Sequence, residues 1–264
     1  MTDQALVRPP AVAGHFYPGD RHELELSIKK HLRLSEWDGL PRPKAVIAPH
    51  AGYVYSGPTA GVAFSALASR FDEIERVVLL GPTHRVPIAG LALPGTVSFA
   101  TPLGQVQIDE ELARIVVEMP QVEVNDAAHA LEHSLEVEIP FLQSILGEFK
   151  LLPLVVGDVS PGAVAEVLER VWGGQETAIV ISSDLSHFLP YEEARKVDEA
   201  TVDQIVRLAG PLSPEQACGA HPINGLLEAA EKHHMATELL DLRNSGDTAG
   251  DRERVVGYTA IAFH

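Results

Sequence analysis

The segment RVVLLGPTHR, residues 76–85, decides the fold. Its first half is short, β-branched and continuously apolar, the pattern of a strand buried on both faces. Gly81 and Pro82 end the run, and His84 stands in the loop that follows. The same grammar occurs twice more. Residues 44–48 (KAVIA) lead through Pro49 to His50, and residues 178–182 (AIVIS) lead to Asp184 and His187. Two further runs, residues 150–156 (KLLPLVV) and 255–263 (VVGYTAIAF), complete the candidate strands. Pro153 cannot donate to a ladder, which suits the former to a sheet edge.

Amphipathic stretches lie between these runs. One helix is expected after Asp20, a good N-cap, with Leu24, Ile28 and Leu32 on a single stripe. Others are expected over residues 59–69, 109–118, 130–146, 163–172, 192–208 and 223–234, and Pro140 should bend or interrupt the 130–146 helix. Residues 245–254 (SGDTAGDRER) read as a surface turn. Alternation of this kind predicts an α/β sandwich with a central mixed, mostly parallel sheet flanked by helices. No Pro/Gly/Ser-rich linker divides the chain, so residues 1–264 are expected to form a single domain.

Composition narrows the function. The 264 residues carry 20 Lys+Arg against 37 Asp+Glu, a formal charge of −17, with no basic run. That argues against nucleic acid and against an anionic membrane surface. No apolar run approaches the roughly 18 residues of a membrane span. The start, MTDQALVRPP, lacks the basic and apolar regions of a signal peptide, and the single cysteine excludes an internal disulfide framework. A cytoplasmic protein is expected.

Twelve histidines are the unusual count. His50, His84 and His187 each follow a candidate strand, and in open α/β sheets ligands bind outside the carboxyl ends of the strands. Three imidazoles and Asp184 at such ends can converge on one point. A second group lies in HALEHSLEVEIPFLQ, residues 129–143. There His129, His133 and Glu136 can share a helix face, with Leu131, Leu135 and Ile139 turned to the core. HALEH also fits the H-x-x-E-H pattern of zinc peptidases, in which two His bind metal and the Glu activates water. Cys218, in ACGAHPING, is open to two readings: an inert buried side chain, or a thiolate whose pKa the following helix start lowers. No phosphate-binding loop and no G-x-S-x-G elbow is present.

Eight motifs in order resemble the Memo family, whose prokaryotic branch is the AmmeMemoRadiSam system protein B: RPPAVAGHFYPGD, APHAGYVYSG, LGPTHR, TPLG, EHSLEVEIPFLQ, SSDLSHF, CGAHPI and SGDTAGDRERVVGYTA. They run from Arg8 to near the C-terminus. The resemblance implies the fold of the class III extradiol ring-cleaving dioxygenases and a non-haem iron pocket. It implies that His50, His84 and Cys218 match the metal ligands, that Asp184 and His187 line the pocket, and that His133 and Tyr55 match a pocket histidine and tyrosine. A thiolate replaces the dioxygenases' carboxylate and is softer, so ring cleavage does not carry over with the fold.

The reading that follows is an iron (Fe2+) oxidoreductase, dioxygenase-like, acting on a small molecule. His187 would serve as general acid/base, oriented by Asp184, with His133 and Tyr55 facing the substrate. Copper or zinc are the other candidate metals. A non-catalytic metal- or peptide-binding protein is the second reading, and a zinc peptidase using His129 and His133 the third. Partners suggested by the family context are an AMMECR-domain protein and a radical SAM enzyme.

Overall fold

The computed structural model describes residues 6–32 and 42–264; the first five residues of the N-terminal reading lie outside them. The chain runs β1 (Val7–Arg8), α1 (Arg21–His31), β2 (Ala45–Ala48), α2 (Tyr53–Ala68), β3 (Arg76–Pro82), β4 (Leu91–Leu93), β5 (Ser98–Thr101) and β6 (Gly104–Ile108). It continues through α3 (Glu110–Val116), β7 (Val122–Val124), α4 (Asp126–Ala130), α5 (Ile139–Leu146), β8 (Lys150–Val156), α6 (Pro161–Arg170) and β9 (Thr177–Ser182). The last elements are β10 (His187–Leu189), α7 (Tyr191–Val206), α8 (Ala220–Lys232), β11 (Thr237–Asn244) and β12 (Val255–Phe263).

Among the described residues, all twelve strands join one mixed sheet. Its centre, in the order β6-β8-β3-β9-β2, is parallel throughout. Antiparallel strands close it on either side, β12 along β2 and β4 and β5 on the far flank. The expected α/β architecture is therefore present. Alternate residues of one strand feed two separate cores, as the period of two requires. Val77 and Leu79 pack with Phe64, Phe141 and Ile28 on one face. Val78 and Leu80 pack with Leu168, Ile223 and Ile205 on the other. Both faces are covered by helices, which explains why the central strands read as unbroken apolar runs.

Three local expectations are corrected. β8 is not an edge strand: it pairs with β3 along its whole length and with β6 and β4 on its other side. Pro153 is tolerated there because β6 meets only Lys150 and Leu151, and β4 only Val155 and Val156. The proline sits between the ends of two short partners, where no ladder bond is lost. The 130–146 helix does not form as one piece. α4 ends at Ala130, a short 3-10 turn covers Glu136–Glu138, and Pro140 sits in the first turn of α5, where a missing N–H costs nothing. Leu131 is consequently exposed rather than in the core, while Leu135 and Ile139 are buried as expected.

Candidate metal centre

β2 and β3 flank β9 in the sheet, so the loops after these three strands meet at one edge. His50 comes from the first, His84 from the second, and Ser182 and Asp184 from the third. His133 arrives from the turn between α4 and α5. One ring nitrogen from each of His50, His84 and His133 lies within 4.8 Å of the others, a group that can hold a metal ion. The His84 and His133 rings stack at 4.5 Å, and His50 stands edge-on to both, at 5.2 and 5.4 Å.

The ligand nitrogens are prepared by what holds their opposite sides. His50 Nδ1 is 2.8 Å from Ser182 Oγ, and His84 Nδ1 is 2.8 Å from Glu132 Oε1. Each ring thus leaves Nε2 as the nitrogen that could meet a cation, that of His50 lying beside the Cys218 sulfur, the arrangement that fixes tautomer and orientation around bound metals. Burial, with the neighbouring His84, His133 and His187, holds the pKa of His50 well below its usual value. Burial and His84 lower His133 to about 4. Both are neutral at physiological pH, as imidazole ligands must be. The donor set fits a transition metal such as iron, copper or zinc and does not choose between them.

Glu132 organises the centre. Its carboxylate accepts from the His84 backbone at 2.5 Å, from His84 Nδ1, and from the backbone amides of His133 and Ser134 at 2.9 and 3.0 Å. Burial alone would raise its pKa, but the His84 hydrogen bond and charge and these amides hold it at about 2. The same bonds draw the chain out of α4 and place His133. The H-x-x-E-H pattern marked this glutamate for a different task, activating water, and the structure overturns the arrangement that task needs. His129 is not beside His133 on a helix face; its Nε2 meets the Ala92 carbonyl at 2.9 Å, it packs edge-on to Phe99, and it is absent from the histidine group. Glu136, expected on that face too, is fully buried against Arg8.

Asp184 also differs from expectation. It does not bond His187; its Oδ1 accepts from the backbone of His50 at 2.9 Å and of Ala51 at 3.3 Å, which holds the His50 loop. Burial raises its pKa to about 7 against those two bonds. His187 lies exposed at the rim, where partial desolvation lowers its pKa. Tyr55 is in the first turn of α2, partly exposed, with no hydrogen bond to the three histidines. Cys218 Sγ is 3.4 Å from His50 Nε2 and accepts from the Asp184 amide at 3.3 Å. The helix start does not lower its pKa as expected: burial, then the Asp184 charge, push the thiol up to about 12. Phe16, which no sequence signal singled out, lies 4.6 Å from the His133 ring.

Buried neutral histidines carry a pH signature. Burial lowers His129 to about 4, against about 6.5 in an unfolded chain. Between these values the unfolded chain binds a proton that the folded one refuses, so stability falls as pH drops through that window. The loss per group approaches about 1.4 kcal/mol per pH unit. Urea unfolding of His129→Gln between pH 7 and 5 should show a slope shallower by about one proton. An unchanged slope would remove His129 from the acid response.

A family model described as Memo-like protein matches residues 8–262. A MEMO1 family protein of Aquifex aeolicus is 40% identical, the alignment covering 97% of this chain and 99% of that one. A MEMO1 family protein of Nitrosopumilus maritimus is 35% identical over 98% of this chain and 100% of its own. Among solved structures, that of an uncharacterized protein from Escherichia coli K12 matches with a TM-score of 0.51 and 13% identity, covering 82% of this chain and 99% of that chain, a likeness of fold. Among the described residues, no helix is long and apolar enough to cross a membrane.

Proposed function

The chain belongs to the Memo family, and from that premise we propose that it is a non-haem iron-dependent oxidoreductase acting on a small molecule. The observation that supports this reading most is the convergence of three imidazoles, two of them with Nδ1 already engaged. His50 and His84 would hold the ion with Cys218, whose sulfur lies on the Nε2 side of His50. His133, sharing Glu132 with His84, is the competing third ligand.

Iron bound there supplies Lewis acidity and one-electron redox chemistry. The remaining work belongs to the chain. Glu132 and Ser182 keep the His84 and His50 rings aimed, and Asp184 anchors the His50 loop. His187, neutral and exposed at the rim, accepts or returns a substrate proton at a ring nitrogen. Phe16 and Tyr55 offer aromatic surface for the substrate.

Protein purified without oxygen should carry iron, read by elemental analysis and by the anomalous signal of the ion, and should consume O2 only when metallated. Zinc or copper at full occupancy, with no metal-dependent O2 uptake across small-molecule substrates, would leave a metal-binding protein in its place. The sulfur beside His50 favours that second reading for Cu(I) in particular.

The third ligand has its own test. A thiol that burial keeps protonated gives up its proton on coordination, so bound metal should block alkylation of Cys218. Cys218→Ser should then lose affinity by more than the roughly 10–100-fold of a supporting residue. If His133→Ala sheds the metal while Cys218→Ser keeps it, the position belongs to His133.

A further inference from the structure

Ser182 Oγ, at the end of β9, meets three polar atoms at hydrogen-bonding distance. They are His50 Nδ1 at 2.8 Å, the Ser134 carbonyl oxygen at 2.6 Å and Glu138 Oε1 at 2.7 Å. A hydroxyl has one proton to give and two lone pairs to receive. The Ser134 carbonyl can only accept, so the Ser182 proton goes there. The other two partners must then donate, His50 through Nδ1–H and Glu138 through a carboxyl proton on Oε1. An ionised Glu138 would set two acceptors against one hydroxyl proton, leaving an unbonded oxygen pair at 2.6 or 2.7 Å.

The surroundings agree with the count. Glu138 is fully buried, and its Oε2 has no hydrogen-bond partner among the described residues. The charge that reaches it comes from Asp184 and has its own sign; burial and that charge push its pKa well above the usual range, against the Ser182 bond. Glu136, two residues earlier and equally buried, shows what a carboxylate needs here. It is surrounded by donors: the Arg8 guanidinium, the Ala11 and Val12 amides and the Tyr17 hydroxyl. A buried ion without such a cage is strongly disfavoured.

We propose that Glu138 is a positioning residue held as a neutral carboxylic acid, which through Ser182 fixes His50 with its proton on Nδ1 and its lone pair on Nε2. Nε2 is the nitrogen that faces Cys218 and the centre. The carboxyl thus preselects the ligand form of the imidazole before any ion arrives.

Two measurements on the metal-free full chain test this independently of the metal reading. Infrared spectroscopy should show a protonated-carboxyl carbonyl stretch that shifts in D2O and disappears in Glu138→Gln. Nitrogen-15 NMR should show His50 protonated at Nδ1 and bare at Nε2. A third arm, Co(II) titration, rests on the proposed metal function. Glu138→Gln, whose amide N–H replaces the acid proton toward Ser182, should keep wild-type affinity, and Glu138→Leu should lose about 10–100-fold. Absence of the infrared band, a His50 protonated at Nε2, or a Gln variant as weak as the Leu variant overturns the proposal. If the Leu variant does not fold, the two spectra on the wild-type chain still decide it. If Co(II) fails to bind the wild type, the metal reading falls and the spectra judge Glu138 alone.

Discussion

Replacing His50 or His84 by alanine should strip the protein of stoichiometric metal while the sheet stays folded. Each histidine belongs to both candidate donor sets, and each comes from a loop at a strand end rather than from either core. Losing one of three protein ligands should cost more than the roughly 10–100-fold typical of supporting residues. The fold should survive because the bonds around each ring persist without it. Ser182 retains Ser134 and Glu138 when His50 is gone. Glu132 retains the backbone amides of residues 84, 133 and 134 when the His84 ring is gone. Elemental analysis beside circular dichroism checks both halves, and full occupancy in both variants would sink the site.

The largest expected effect on stability lies outside the site, at Arg8. Its guanidinium pairs with Glu136 and donates to the carbonyls of His129 and Glu132, with both charged groups buried. One side chain from the N-terminal segment thereby ties down the turn that carries Glu132 and His133. Arg8→Met leaves the Glu136 charge with three neutral donors and frees two buried carbonyls. Breaking a buried pair on one side costs about 3–5 kcal/mol, read as a lower urea midpoint at unchanged slope. Glu136→Gln added to Arg8→Met removes the stranded charge and should recover part of the loss. A single-variant loss below about 1 kcal/mol, the level of an exposed pair, would show that Arg8 is not a strut.

The two predictions differ in how visible their residues were. His50 and His84 could be found from spacing, since each follows an apolar run that a doubly covered parallel strand requires. Arg8 could not: its partners lie 121 to 128 residues away. The same division runs through the fold. The central strands were legible, whereas β4 and β7 have three residues each and acquire their identity from pairing with each other and, for β4, with β8. β11 escaped notice because its eight residues alternate weakly and most are only partly buried.

By itself the sequence determined the alternating α/β order, the buried central strands and the placing of His50, His84, Asp184 and His187 at strand ends. These are local properties, written in the period and length of apolar runs. Only the tertiary structure decided that β8 is interior, that Glu132 serves His84 rather than a water, that the pocket histidine His133 stands within ligand distance of His50 and His84 while His129 leaves the group, and that Asp184 holds the His50 loop and not His187. It alone placed Glu138 behind Ser182. A carboxylate's role is set by whichever donors surround it, and in this fold those donors come from strands and turns distant in the chain.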